Sequence, residues 1–245
     1  KALSEQPAVA PAEFAVNFPA SVSPALMGKS PTMQMTFKLL ARLSAQSVPI
    51  LIQAETGSGK SMIAQTLHEM GQFSNCAFET VTLSKFPSTA HEKILLGPDG
   101  IYNKAEKGSL FINAIDELSP NAQIALARRI ENDRFPDSSL QAPRIIAGTT
   151  FDLKILVDQG LFCDDLYFDL SVGMLKVPPL RERLEDIGQL ANHFCEQLNQ
   201  EFNTQRQISA DAVALLQSYH WPNNVRELDV LMRRIFISTM DVTLS

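Results

Sequence analysis

Apolar residues follow two periods along this chain. Between residues 48 and 177, short apolar runs of strand length alternate with segments in which apolar residues return every three to four positions. The runs at 48–52, 78–83, 108–112, 144–149 and 172–177 predict five strands. The third, with Leu110, Phe111 and Ile112 in succession, reads as buried on both faces. Ser30-Pro31 predicts a helix start, a capping hydroxyl followed by proline at the first helical position, with Met33, Phe37 and Leu40 on its buried face. Further helices are predicted after residue 61 (Met62, Ile63, Leu67), at 92–96 and at 119–131. Strands alternating with helices predict a parallel sheet covered by helices on both faces. Beyond Pro178-Pro179 the strand pattern stops. Ile187, Leu190, Ala191 and Phe194 recur at helical spacing, Ser209 caps a helix carrying Val213, Leu215 and Leu216, and a last helix is predicted over 223–237. The expected organisation is a linker at 1–29, rich in Ala, Pro, Ser and Val, an α/β unit at 30–183 and a small all-helical unit at 184–245.

Composition narrows the function classes. Of 245 residues, 45% are hydrophobic and 20% charged, as in a folded globular chain. The net charge of −6 argues against DNA binding by this chain alone. The cysteines (Cys76, Cys163, Cys195) are too scattered for a disulfide framework or a zinc site, which fits a cytoplasmic protein. His68, His91, His193 and His220 show no metal-ligand spacing. No apolar run reaches membrane-spanning length, and no secretory leader is recognisable at the N-terminus.

The candidate chemistry lies between the first strand and the helix after it. Ala54-Glu55-Thr56-Gly57-Ser58-Gly59-Lys60-Ser61 is a glycine-rich loop ending in Gly-Lys-Ser, in the strand–loop–helix context of a phosphate-binding P-loop. Backbone N–H groups of such a loop cradle phosphate oxygens, and the helix adds the positive end of its dipole. Lys60 is expected to reach the β- and γ-phosphates and Ser61 to ligate Mg²⁺. Ala54 stands where such loops open with glycine.

Four segments, spread from about Leu26 to Ile237, resemble the AAA+ module of bacterial enhancer-binding proteins, the activators of sigma-54 RNA polymerase. Leu26-Met27-Gly28 is similar to the family's opening Leu-Val/Ile-Gly. The segment from Gly100 to Phe111 resembles its Gly-x-Phe-Glu-x-Ala-x-Gly-Gly-Thr-Leu-Phe. Pro178-Pro179-Leu180-Arg181-Glu182-Arg183, followed by Glu185-Asp186-Ile187, is close to its Pro-Pro-Leu-Arg-Glu-Arg signature. Trp221-Pro222-Asn223-Asn224-Val225-Arg226-Glu227-Leu228 resembles its Trp-Pro-Gly-Asn-Val-Arg-Glu-Leu. The resemblance implies an AAA+ P-loop sheet with a helical lid. It also implies ATP or ADP with Mg²⁺ at Glu55, Thr56, Gly57, Ser58, Gly59, Lys60 and Ser61, with Arg226 as the lid's sensor.

The departures from that family fall on hydrolysis. At the positions of its Mg²⁺-binding Asp and water-activating Glu stand Asn113 and Ala114. General-base catalysis contributes about 10²–10⁴ in rate. Asp116 and Glu117 match acids that the family carries just beyond the strand and read as surface acids. Thr150 replaces a sensor Asn. The two arginines that a neighbouring subunit would supply are Cys163 and Asp169, and an arginine finger is worth about 10³–10⁵ in turnover. The loop that touches sigma-54 is absent, since only Pro98-Asp99 separates Gly97 from Gly100.

The resulting expectation is a ligand-binding and oligomerisation module of a sigma-54-independent transcription regulator, with no assigned catalytic residue. A receiver-like domain upstream and a DNA-binding helix-turn-helix downstream would lie outside this chain. Cyclic di-GMP, in the manner of biofilm regulators, is the expected effector, with Arg42, Arg144, Arg181 and Arg183 as equivalent candidates for contacting it. Self-association as a dimer is expected over a stable hexamer. Two alternatives stand beside this reading: an active Mg-ATPase using Asp116 and Glu117, and a structural dimerisation module without ligand.

Overall fold

The computed structural model describes residues 26–133, 142–239 and 243–244. Five parallel strands form the central sheet: β1 Ile50–Gln53, β2 Phe78–Thr82, β3 Ser109–Asn113, β4 Arg144–Thr149 and β5 Gly173–Lys176, in the order β2-β3-β4-β1-β5. The strands alternate their side chains between two apolar clusters. Leu51, Leu110, Ile112, Ile145 and Ala147 point to one face; Ile50, Ile52, Phe111, Ile146 and Leu175 point to the other. The first cluster is covered by α3 His91–Leu96, α4 Ile101–Lys104, α5 Pro120–Asn132, α6 Leu153–Asp158 and α7 Asp164–Leu170. The second is covered by α1 Pro31–Ser44 and α2 Lys60–Glu69. Burial on both faces explains why the inner strands β1, β3 and β4 read as apolar runs, while the edge strand β2 mixes polar and apolar residues.

Each strand is placed within two residues of its expected position at either end. Strand β1 starts at Ile50 because Pro49 has no N–H to offer a ladder. Ser30 caps α1 as expected, its hydroxyl accepting from Met33 N at 3.3 Å, with Met33, Phe37 and Leu40 buried. The part of the expected linker at 1–25 lies outside the described residues. Residues 26–29 are packed rather than free: Leu26 joins the α1/α2 cluster and Met27 the cluster of the last helices.

The C-terminal part contains α8 Leu184–Phe202, α9 Ala210–Ser218 and α10 Asn224–Ser238. It is not wholly helical, since a short parallel pair joins Gln207–Ile208 (β6) to Thr243–Leu244 (β7). Ile187, Leu190, Ala191, Trp221, Leu228 and Met232 make its core. Leu215, expected in that core, is 74% exposed, because α9 lays only part of one face on α8 and Leu215 falls outside it. Ser209 caps α9 as expected, accepting from Ala212 N at 3.1 Å.

This unit is tied to the sheet at two places. At one, the buried Asp186 of α8 accepts from Ser30 N at 2.8 Å and from Ser30 Oγ at 2.7 Å, and also from Lys29 N. Asp186 therefore holds the start of α1. Gly28 has to be glycine there, because a Cβ would lie 2.4 Å from Met33 Cγ. The second tie is at the glycine-rich loop.

Candidate functional site

The loop from Ala54 to Lys60 leaves the carboxyl end of β1, in the middle of the sheet, and runs directly into α2. In an open parallel sheet this is where ligands bind. Gly57 and Gly59 have φ of +78° and +98°, the left-handed region that glycine occupies without strain. Nothing lies within 4 Å of a Cβ built on Gly59, so the mouth of the loop is open. Lys60 opens α2, and its ammonium donates to Ala54 O at 2.7 Å and Glu55 O at 3.2 Å. Burial pushes its pKa down, while the charge of Asp116 pulls it up. A half-buried cation at the N-terminus of a ten-residue helix is a ready anion site. Ser58 Oγ is buried and without a partner among the described residues. Ser61 is exposed in the first turn of α2, with its hydroxyl open to a metal. Ala54, in place of an opening glycine, is accommodated: it is buried in the α1/α2 cluster, and its N–H donates to Thr149 O at 3.0 Å.

Not every expected loop residue faces the mouth. The Glu55 carboxylate is turned to the helical unit, where Arg181 grips it with two bonds of 2.8 and 2.6 Å. Asn224 Nδ2 donates to Glu55 Oε2 at 3.1 Å and to Thr56 O at 3.0 Å. These bonds, the Arg181 pair foremost, hold the Glu55 carboxyl at about 2. Asn224 Oδ1 in turn accepts from Leu180 N at 2.7 Å. Glu55 therefore contributes to a ligand site through its backbone, and its side chain is a latch. Gly57 lies under the same contact: a Cβ there would be 2.0 Å from Asn223 O. Arg226 N donates to Gly57 O at 3.3 Å, which sets Arg226 over the loop. Its guanidinium has no bonded partner among the described residues and is exposed. Sequence reasoning missed the latch, although Arg181 and Asn224 both stood in the quoted motifs.

The carboxyl end of β3 is the other wall. Asn113 pairs with Gly148 of β4, and Asn113 Oδ1 is a buried acceptor without a partner among the described residues. Ala114 is left-handed (φ 58°, ψ 48°), which carries the chain into a short turn at Ile115–Glu117. The turn buries Ile115 and brings Asp116 back toward β4, where Thr149 Oγ1 donates to it at 2.6 Å. Glu117 is exposed, as expected of a surface acid; Asp116 is not a free surface acid. Cys163 caps the start of α7, its N–H donating to Gln123 Oε1 at 2.7 Å, and Asp169 lies further along the same helix.

Of the arginines considered for a dinucleotide effector, three are engaged. Arg144 is buried and donates to carbonyls of Leu43, Leu67 and Val48. Arg183 is buried against Met33, and Arg181 holds Glu55. Arg42 is exposed near the end of α1.

Between α3 and α4 the chain makes a tight turn at 97–100, with Gly100 N donating to Gly97 O at 2.8 Å. Sequence comparison places this scaffold. A family described as the Sigma-54 interaction domain matches residues 26–176, and one described as the AAA+ ATPase lid domain matches 181–245. The chain belongs to the sigma-54 interaction domain family. Similar curated proteins include the DNA-binding transcriptional regulator NtrC of Bradyrhizobium sp. (strain RP501 Parasponia), 35% identical over 227 residues, covering 86% of this chain and 47% of that protein. The nitrogen fixation protein AnfA of Azotobacter vinelandii is 34% identical over 234 residues, covering 88% of this chain and 44% of that protein. The chain thus spans about half the length of these relatives. Among solved structures, NtrX from Brucella abortus in complex with ADP superposes with a TM-score of 0.79 at 28% identity, covering 86% of this chain and 52% of NtrX. Its complex with ATP gives 0.78 at 27%, over the same shares. No helix among the described residues is long and apolar enough to cross a membrane.

Proposed function

We propose that this AAA+ module is the nucleotide-held switch of a bacterial transcription regulator, binding ATP or ADP between the Lys60 loop and the Arg226 edge of the lid and hydrolysing it slowly or not at all. One observation carries the proposal: the glycine-rich loop closes on Lys60, whose ammonium donates to Ala54 O, while β3 ends on Asn113 followed by Ala114, which offer no base. NtrX, similar in fold and sequence, has been solved with each nucleotide. The residues fit Mg²⁺ through the exposed Ser61 hydroxyl, and the ion would supply charge neutralisation between phosphates. In this reading residues 30–183 are the core and 184–245 the lid, and the regulator acts in the cytoplasm, contacting DNA through a domain outside this chain.

Sigma-54 independence belongs to the same proposal. The Gly97–Gly100 turn holds only Pro98 and Asp99 and is closed by Gly100 N donating to Gly97 O, so RNA polymerase would be contacted without the family's sigma-54 loop. The second reading, a sigma-54 activator, is favoured by the family itself and by relatives such as NtrC. Self-association as a dimer draws support from Phe151, Ile155, Leu161 and Phe168, which are exposed around α6 and α7 beside Cys163. A cyclic di-GMP response is the narrowest form of the proposal; Arg181 could serve it only by releasing Glu55.

Isothermal titration with ATP, ADP and cyclic di-GMP, in wild type and Lys60→Ala, tests the switch. Nucleotide binding that disappears in the variant, with turnover at least about 10³ below an active relative, is expected. Silence for ATP and ADP would overturn it. Stimulation of sigma-54 polymerase in transcription assays would favour the second reading.

A further inference from the structure

The carboxylate held against the end of β4 does not come from the end of β3 but from three residues beyond Asn113. Ala114 adopts a left-handed conformation that an L residue takes only under constraint. The consequence is positional. Ile115 enters the core, and Asp116 turns back beside β4 instead of continuing outward with Glu117. Thr149 orients the carboxylate. Its hydroxyl accepts from Phe151 N at 3.0 Å and so has its proton free to donate to Asp116 Oδ1 at 2.6 Å. Thr149 also joins Asp116 to the loop, since Thr149 O accepts from Ala54 N at 3.0 Å. Two further buried polar groups, one on β3 and one in the loop, are open to a ligand. Asn113 Oδ1 is buried with no donor among the described residues, and the Ser58 hydroxyl, in a side chain 5% exposed, has no partner either. A buried acceptor without a donor is costly unless something arrives to satisfy it.

We infer that Asp116 is a relocated metal carboxylate: together with the Ser61 hydroxyl and the Asn113 amide oxygen it holds the waters of a divalent cation bound with the nucleotide. Mg²⁺ keeps several waters and needs only one or two carboxylates besides phosphate oxygens. A carboxylate set back by Thr149 and an amide oxygen with a free lone pair are acceptors for such waters. The inference rests on the nucleotide-binding reading and deepens it, since it lets the site load a metal nucleotide without restoring a base at Ala114.

The test is a fluorescence titration of an ATP analogue, run in EDTA and in Mg²⁺, with Mn²⁺ bound to the same complex followed by electron paramagnetic resonance. The proteins are wild type, Asp116→Asn and Glu117→Gln. Asn at 116 still accepts from Thr149, so the turn is retained, and thermal melts check this. Wild type and Glu117→Gln should bind tighter in Mg²⁺ than in EDTA by about tenfold or more. Asp116→Asn should keep the EDTA affinity, lose most of that gain and change the Mn²⁺ spectrum. A gain preserved within about twofold in Asp116→Asn, or lost equally in Glu117→Gln, would overturn the metal role alone. Binding in neither buffer would instead overturn the nucleotide reading, and this inference with it.

Discussion

Asn224 is the residue on which the contact between lid and loop turns. Its side chain is fully buried and engaged at both ends: Oδ1 accepts from Leu180 N at 2.7 Å, while Nδ2 donates to Thr56 O at 3.0 Å and Glu55 Oε2 at 3.1 Å. Its backbone is left-handed, with φ of +53°, a conformation that Asn adopts at less cost than Ala. Asn224→Ala strands the Leu180 N–H in the interior at about 1–3 kcal/mol. The backbone adds about 1 kcal/mol. The two acceptors released on Glu55 and Thr56 can turn to water and add roughly 1 kcal/mol or less. The expected loss is thus about 2–5 kcal/mol. Substitution by Gly should be milder than Ala by about 1 kcal/mol, because it removes the backbone part alone. Asn224→Asp keeps an acceptor for Leu180 but sets a carboxylate against Glu55 and Thr56 O, so at neutral pH it should cost at least as much as Ala. Urea unfolding followed through Trp221, the sole tryptophan, buried in the lid core, measures all three. An Asn224→Ala loss under about 1 kcal/mol, or an Asp variant milder than Ala at pH 7, would refute the bonding scheme.

Other consequences follow from the same geometry. Gly57→Ala should unseat the lid, since its Cβ would lie 2.0 Å from Asn223 O at a φ of +78°; limited proteolysis at the lid junction should accelerate, and unchanged cleavage would count against the contact. The latch should also respond to acid. Glu55 is held at about 2 against 4.5 when unfolded, so its contribution is complete above the unfolded value and is lost as pH falls through about 2. Because the carboxylate is 40% exposed, solvent screening limits that contribution to about 1 kcal/mol or less, and Glu55→Gln should flatten the dependence in acid titrations of lid stability. Arg144, whose burial lowers its pKa to about 10, ties Leu43 O of α1 and Leu67 O of α2 to the sheet. Arg144→Met should cost about 3 kcal/mol in urea unfolding while leaving nucleotide affinity unchanged.

The glycine-rich loop could be found in the sequence because a P-loop is a local object: spacing, two glycines and the strand and helix on either side are contiguous. The latch could not. Glu55 lies 126 residues from Arg181 and 169 from Asn224, and no periodicity links them. Asp116 was misread for a related reason. Its match to acids that the family carries just beyond the strand places it on the surface, whereas one left-handed residue at Ala114 reverses the path and returns it to β4. Leu215 shows the limit of helical periodicity, which gives a face but not how much of it a neighbour covers. Likewise, the burial of Arg144 and Arg183 depends on helices packed from distant parts of the chain, so their charge gave no hint of it.

What the sequence by itself determined is everything governed by short-range stereochemistry and period: the five strands, the Ser30 and Ser209 caps, and the glycine-rich loop between β1 and α2. Only the tertiary structure decided how the lid sits, with Asn223 on Gly57 and Asp186 on the start of α1, and that Asp116 returns to Thr149 of β4. The physical reason is that hydrogen bonds and charges act through space at a few ångströms, and residues that far apart in the chain meet only once the apolar faces have packed.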